Sequence, residues 1–395
     1  MGYDVIVVGA GPAGLSTALT SATHGLKTLL LERNFEIGHP VKSSAFTFIE
    51  VPQELGLSKS VVLSKISKLY IEFLGRRKKI EVDFLIDYGV TLNLPVFLKE
   101  LAQKAMSAGA LIKVGQNVTG PLLENGRVCG VISNSIKIRS KLVIDASGNS
   151  AVIGRSRIKY PTFPEIGVGR EYEVFNFKNR DTKSIDFYVG SGLVPVSYGW
   201  AFPIGSNETR VGVATVLNTR ETLGKSLKKV HDTFFRILEK RGGVRSASIC
   251  SIHVGDYPLI KSTEKNYGAG FVVVGDAAGH ANPLLGEGIR NAVEYGQIAG
   301  KMASNAVAKN DFSEAQLNFS NYLTKTQLEY YSVAKDLLSV STDIYWETII
   351  KGLTKLKIAG NLLPIMKYLR AELNYSDVKN YFPEFASYLK DSSKS

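Results

Sequence analysis

The residues best suited to chemistry come first in the chain: Gly9, Gly11 and Gly14, directly after the apolar run of residues 5–8. A strand that feeds a glycine turn and then a helix can hold a diphosphate. Gly9 makes the tight turn, Gly11 lets the backbone approach the phosphates, and Gly14 lets the helix lie close on the strand. The helix that starts at Pro12 and Ala13 aims unpaired N–H groups and a partial positive charge at the anion. A second apolar run, residues 26–31, ends in Glu32, at about the 20-residue spacing of an acid that binds an unphosphorylated ribose. A glycine turn alone is a weak signal, but this βαβ setting makes it the cradle of a dinucleotide.

Two further strand ends carry similar signals. Residues 142–145 open into Ala146-Ser147-Gly148-Asn149-Ser150, and residues 271–274 open into Gly275-Asp276-Ala277-Ala278-Gly279-His280. The latter continues through Pro283 and Gly286-Glu287-Gly288-Ile289 into a long helix marked by Ala292, Tyr295, Gly296 and Ala299. Buried strands that each end in glycine or an acid at one sheet edge converge where open α/β sheets bind ligands. Apart from these lies Tyr198-Gly199-Trp200-Ala201-Phe202-Pro203, whose period of two puts Tyr198, Trp200 and Phe202 on one face of a strand. On composition alone such a row reads as core before it reads as a ligand wall.

The elements that must position these groups follow in order. Residues 33–44 form a loop rich in Gly, Pro and Ser, and residues 51–68 read as short helical and turn segments. Residues 69–84 alternate around Gly75-Arg76-Arg77-Lys78-Lys79, a hairpin signal. Phe97, Leu98, Leu101, Ala102 and Ala105 recur at helical spacing over residues 94–108, with Pro95 near the start. Residues 111–118, 126–131 and 135–138 read as short strands of a meander. From Arg170 to Val216 the β-branched and aromatic alternation predicts an antiparallel sheet, and residues 231–240 a helix closed by Gly242-Gly243. Residues 311–395 are mostly helical. There Leu362, Ile365, Met366 and Leu369 form an apolar stripe near Lys351, Lys355, Lys357, Lys367 and Arg370, read as a helix capping the core in preference to one lying on a membrane surface.

Size and composition set the outer limits. At 395 residues, with 44% hydrophobic and 21% charged, the chain is globular and long enough for two domains and a terminal segment. Cys129 and Cys250 are too few for a disulfide scaffold, and the five histidines lack metal-ligand spacing, so a reducing cytosol and no metal are expected. A strand that begins at the third residue leaves no room for a signal peptide, and no apolar run is long enough to span a membrane. The net charge of +12 suits phosphates or an anionic lipid surface, and equally a solvated lysine-rich exterior. Scattered Lys and Arg without a binding motif give no support to nucleic acid as a partner.

Taken together, the three loops resemble the flavin-binding set of the hydroxylase-like FAD superfamily. With Tyr198-x-Trp200-x-Phe202-Pro203, the chain looks most like the geranylgeranyl reductase family, a likeness that covers roughly residues 1–310. The resemblance implies an α/β fold, α+β overall: a Rossmann-like FAD-binding domain from residues 1–50, 91–157 and 264–310, and an antiparallel-sheet substrate domain from 51–90 and 158–263. Residues 311–395 would be a C-terminal helical segment. It implies FAD held by Gly9, Gly11, Pro12, Ala13, Gly14, Glu32 and Arg33, by Ser43, Ser44 and Gly148, and by Gly275, Asp276, Gly286, Gly288 and Ile289. Asp276 would hold a ribityl or pyrophosphate-linked hydroxyl, and the helix start near Ile289 would stabilise negative charge on the reduced ring.

The activity implied is saturation of isoprenoid C=C bonds, those of archaeal ether lipids foremost, along a tunnel lined by Tyr198, Trp200, Phe202 and Pro203. Two departures accompany it. Ser43-Ser44 stands where many relatives carry Cys-Gly, and Leu94 where relatives often carry an Arg near the flavin. A cysteine-dependent proton transfer therefore does not carry over, and ordered water, Tyr198 or His280 takes its place as proton source. Only one dinucleotide fingerprint is present, so electrons come from NAD(P)H bound transiently or from ferredoxin. A cytoplasmic enzyme with peripheral contact at the inner membrane face is expected. The alternatives are a flavin monooxygenase or halogenase-like enzyme, and a flavoprotein that relays electrons without transforming lipid.

Overall fold

The computed structural model describes residues 2–158, 166–190, 192, 198–216, 226–258, 265–323, 325–338, 340 and 342–389. Residues 5–8 are buried, as an apolar run flanked on both sides must be, and the strand Tyr3–Val8 lies inside a parallel sheet. Its neighbours, in order across the sheet, are Phe271–Val273, Ile136–Asp145, Tyr3–Val8, Thr28–Leu31 and Leu111–Lys113. Val8 stands opposite both Leu31 and Asp145, and Asp145 opposite Val273. This register brings the carboxyl ends level, so the loops after residues 8, 31, 145 and 273 leave the sheet at one edge.

Two helices pack below that edge. Pro12–Thr23 follows the glycine turn, and Ile289–Lys309 crosses it so closely that a Cβ on Gly296 would lie 2.4 Å from the Ala13 carbonyl oxygen. Phe97 and Leu101 of the helix Leu94–Ser107 fill the same core.

A second, seven-stranded sheet runs in the order Val244–Pro258, Ile166–Phe177, Glu208–Val216, Tyr198–Pro203, Ser184–Val189, Lys68–Phe73 and Lys78–Asp83. All its pairings are antiparallel except that of Ser184–Val189 with Lys68–Phe73. One face carries Tyr70, Tyr172, Val211 and Val213 and is covered by Phe234 and Leu238 of the helix Leu227–Leu238. The other carries Phe187, Tyr198, Trp200 and Phe202. Residues of the C-terminal helices Lys325–Leu338, Thr342–Ile358 and Leu363–Leu369, among them Tyr330, Trp346, Ile365, Tyr368 and Leu369, share that core. The 362–369 stripe therefore caps protein, as the first of its two readings held. No helix among the described residues is long and apolar enough to cross a membrane.

Three sequence readings need correction. Residues 135–138 and 142–145 are not separate strands: Ile136–Asp145 is continuous, pairing antiparallel with Arg127–Ser133 at its start and parallel with Tyr3–Val8 at its end. Residues 111–118 are broken after Lys113, with Gly115 at φ +67°, and Val118–Glu124 starts a different ladder. Residues 51–68 include a true strand, Val62–Ile66, which joins Phe46–Phe48 and Gly89–Leu92 in a small sheet.

Candidate active site

A cavity of about 560 Å³ runs from the level strand ends to the aromatic face of the second sheet. At its first end the glycines divide the work as their spacing predicts. Gly9 has φ +101°, and a Cβ on it would lie 2.5 Å from the Ala146 carbonyl oxygen. A Cβ on Gly14 would meet the Gly9 carbonyl oxygen at 1.9 Å, so this residue sets helix-on-strand packing and stays out of the cavity wall. A Cβ on Gly11 would meet nothing within 4 Å, because it would project into open cavity. The helix Pro12–Thr23 has neither a side-chain cap nor an acid in its first turn, which leaves its N-terminal partial charge for an anionic ligand.

Glu32 is buried in the same wall. Its Oε2 accepts from the Ala10 N–H at 2.8 Å and its Oε1 from the Asn34 N–H at 2.8 Å, so the carboxylate is aimed with lone pairs to spare. Arg33 reaches across to donate to Ser150 Oγ at 3.3 Å. Behind the second loop, Asp145 does not face the cavity. It accepts from the N–H groups of Ser147, Ile153 and Gly154 and from the Ser147 hydroxyl, and so shapes the turn that presents Gly148 at φ +63°.

The third loop brings Gly275, Asp276, Gly286, Gly288 and Ile289 to the opposite wall. Burial, with the negative charges of Asp256 and Glu287 close by, pushes the Asp276 carboxyl up to about 6. The helix Ile289–Lys309 starts at Gly288 with no acid in its first turn, and just before it Glu287 Oε1 accepts from the Arg290 N–H at 2.9 Å. Two helix N-termini therefore point into one cavity, one beside the glycine turn and one beside Tyr198. The residues fit FAD: an open cradle at Gly11, fixed carboxyls at Glu32 and Asp276 that could accept from hydroxyls, and a second helix start at the cavity wall.

Arg210 fastens the loop of residues 38–45 over the second sheet. Its guanidinium pairs with Glu173 at 2.8 Å and donates to the carbonyl oxygens of Ser44 and Leu92, each at 3.0 Å. Ser43 and Ser44 thereby enter the wall, as does Leu94. Tyr198, Trp200 and Phe202 line the far end, with Phe187 edge-on to Tyr198 at 5.1 Å and to Phe202 at 5.4 Å. Pro203 lies behind them, its carbonyl accepting from Thr91 Oγ1 at 2.7 Å.

The two candidate proton sources are placed differently. Tyr198 is in the wall, where burial pushes its phenol well above the usual range and its hydroxyl donates to the Leu285 carbonyl. His280 is not among the lining residues. Its Nδ1 accepts from the Gly275 N–H at 3.2 Å, its ring packs on Tyr295 and Phe319, and burial pushes it down to about 3. A folded value below the unfolded one near ~6.5 means that the native state binds fewer protons in that window, so His280 subtracts stability as the pH falls. His280→Asn keeps an acceptor for Gly275 without the titration; its destabilisation relative to wild type should shrink from about pH 7 to about pH 4 in chemical denaturation.

Sequence reasoning missed Glu171, His253, Asp256 and Tyr257, all in the wall. The available signal was small residues in alternation, Gly167 and Gly169 before Glu171 and Gly255 after His253, which clears space over one face of these strands.

A profile of the FAD dependent oxidoreductase family matches residues 4–190. The digeranylgeranylglycerophospholipid reductase of Methanocaldococcus jannaschii is 36% identical over 323 residues, 80% of each chain. The chain belongs to the digeranylgeranylglycerophospholipid reductase family. It is an FAD-dependent oxidoreductase, and the resemblance read from its three loops is borne out. A solved structure described as geranylgeranyl bacteriochlorophyll reductase-like, from Thermoplasma acidophilum, is 26% identical with a TM-score of 0.83 and covers 98% of both chains. A flavin-dependent brominase, 16% identical with a TM-score of 0.75 over 98% of this chain and 100% of its own, shares the fold.

Proposed function

We propose that this member of the family saturates C=C bonds in the geranylgeranyl chains of archaeal-type ether phospholipids. The observation that carries the reading is a single cavity with a dinucleotide cradle at one end and an aromatic wall at the other. FAD, when bound and reduced, supplies a hydride. Everything else is the work of the chain's own backbone and side chains. Gly9, Gly11, Pro12, Ala13 and Glu32 would hold the diphosphate and ribose, Asp276 a ribityl hydroxyl, and the helix start at Gly288 and Ile289 the ring. The strands drawn from residues 51–90 and 158–263 would serve the lipid, and residues 1–50, 91–157 and 264–310 the cofactor.

A prenyl chain has no polar handle, so the site must bind it by area. Burying half of a twenty-carbon chain at ~0.8 kcal/mol per carbon contributes on the order of 10 kcal/mol, which Tyr198, Trp200, Phe202 and Phe187 are suited to supply. Of the two side chains considered as proton source, Tyr198 alone reaches the cavity, and we assign it the relay from water. Electrons would come from NAD(P)H or ferredoxin, and the lipid from a membrane that the protein touches peripherally.

The deciding experiment is mass spectrometry of geranylgeranylated archaeal-type phospholipid after incubation with dithionite-reduced holoprotein. A gain of two hydrogens per double bond is the expected product. Stoichiometric flavin reoxidation with lipid of unchanged mass would sink the assignment.

A further inference from the structure

One row of residues crosses five neighbouring strands of the second sheet on its cavity face. His253 stands opposite Glu171, Glu171 opposite Gly212, Gly212 opposite Trp200, and Trp200 opposite Phe187. Residues directly opposite one another in a ladder point to the same side. Because Gly212 has no side chain, the indole lies across its strand: a Cβ there would be 2.2 Å from Trp200 Cζ2. Trp200 thus reaches past a whole strand, and its Nε1–H donates to Glu171 Oε2 at 2.8 Å.

Glu171 is only 3% exposed, yet it lines the cavity beside the aromatic row. A buried carboxylate is costly unless something offsets it. Its other oxygen, Oε1, lies 3.1 Å from His253 Nδ1, and His253 Nε2 lies 2.9 Å from Ser251 Oγ. The nearest guanidinium, Arg210, is 3.8 Å away and is matched by Glu173 at 2.8 Å. Among the described residues Glu171 therefore shares its charge with an indole N–H, an imidazole and, at the longer distance of 3.8 Å, a guanidinium that Glu173 holds more closely. On the cavity side, Tyr198 and Phe202 flank the indole with ring centroids at 5.9 and 6.2 Å.

Several aromatic rings around one space, with a carboxylate hydrogen-bonded to the edge of one of them, describe a site for a cation without hydrogen-bond donors. We propose that Glu171 and Trp200 together stabilise positive charge on the prenyl chain. The inference rests on the reading above. Addition of a proton to the less substituted carbon of a trisubstituted alkene uses the π electrons for a new C–H bond and leaves the more substituted carbon short of a pair. The hydride then supplies that pair, so two C–H bonds replace one π bond and the hydride donor is oxidised by two electrons. Between those events the positive charge sits on a tertiary carbon with no polar substituent. The indole face meets it directly, and Glu171 is the positioning residue, which fixes the ring and adds its negative field through the N–H bond.

The test uses oxidised holoprotein and two non-reacting probes. One is a geranylgeranyl-length chain in which a methyl-bearing alkene carbon is replaced by a quaternary dimethylammonium nitrogen, a cation with no N–H to donate. The other is the saturated hydrocarbon chain of the same branching. Wild type should bind the ammonium probe about tenfold more tightly than the hydrocarbon. Glu171→Gln, which keeps an acceptor for the indole, should bring that ratio close to one while hydrocarbon affinity changes by less than about twofold. Trp200→Phe keeps a ring but loses the N–H bond, and should lower the ratio as well; it decides the matter if Glu171→Gln fails to retain flavin.

A ratio that persists in both variants overturns the proposal. So does a wild type that binds both probes equally, which leaves the lipid reading standing. A wild type that binds neither probe overturns the lipid reading itself, and this inference with it.

Discussion

Gly11→Ala is expected to yield a folded but colourless protein, and Gly14→Ala a protein that barely folds. The two residues sit three positions apart in one turn, yet their missing Cβ atoms face different things. At Gly11 the backbone has φ −78° and ψ −177°, extended geometry that alanine adopts freely, and the new methyl would project into the cavity. Stability should hold while the diphosphate is pushed off the helix N-terminus. Losing two charge-assisted hydrogen bonds at about 1.5–3 kcal/mol each would weaken FAD at least about a hundredfold. At Gly14 the methyl would lie 1.9 Å from a backbone oxygen, which cannot move without separating the helix from the first strand. That should cost on the order of 3 kcal/mol or more and take the cofactor with it. Flavin absorbance per protein and a denaturation midpoint for each variant separate the two outcomes. Stoichiometric flavin in Gly11→Ala would remove the diphosphate from this turn.

That contrast shows which parts of the site were legible in the amino-acid order. The cofactor end was readable because its requirements are local: a glycine at positive φ, a glycine under a helix, an acid one strand later. Each is decided within a few residues of the motif. The substrate end is decided by register. Glu171 and Glu173 alternate with Tyr172 and Val174, a pattern that fits a strand with one wet face, and nothing in it says that Glu171 is buried. Only the ladder, which sets His253 and Gly212 on either side of it, turns that glutamate into part of the wall.

The same limit explains the misread strand. The charges Lys137, Arg139 and Lys141 mark residues 136–141 as meander, while Leu142, Val143 and Ile144 mark a buried strand, and one element that serves two ladders carries both patterns. His280 follows a legible motif, but its displacement from the cavity depends on Tyr295 and Phe319, contributed by other segments. The C-terminal stripe announced a helix without naming its partner. That partner proves to be the core it shares with the aromatic face, where Trp346 of the preceding helix meets Tyr198 edge-on at 6.2 Å and Leu369 of the stripe lines the cavity.

Gly212 offers the sharpest test of that second end, because it touches neither cofactor turn. Gly212→Ala would place a methyl 2.2 Å from the Trp200 ring and 2.9 Å from the Arg170 carbonyl oxygen. The carbonyl belongs to the neighbouring strand and holds its place, so the indole must lift. Overpacking of this kind costs about 1–3 kcal/mol of stability. Lifting the ring also breaks its bond to Glu171, and a hydrogen bond to a charged group is worth about 1.5–3 kcal/mol, or roughly a tenfold to hundredfold loss of prenyl-lipid turnover. FAD content should not change, since the glycine turns lie on the other sheet. The effect should pass through the indole alone. In a Trp200→Leu background, which is already impaired, adding Gly212→Ala should therefore change turnover by less than about twofold, a strongly non-additive cycle. Additive losses would mean that the glycine serves the sheet and not the ring, and the row from His253 to Phe187 would have to be read as packing.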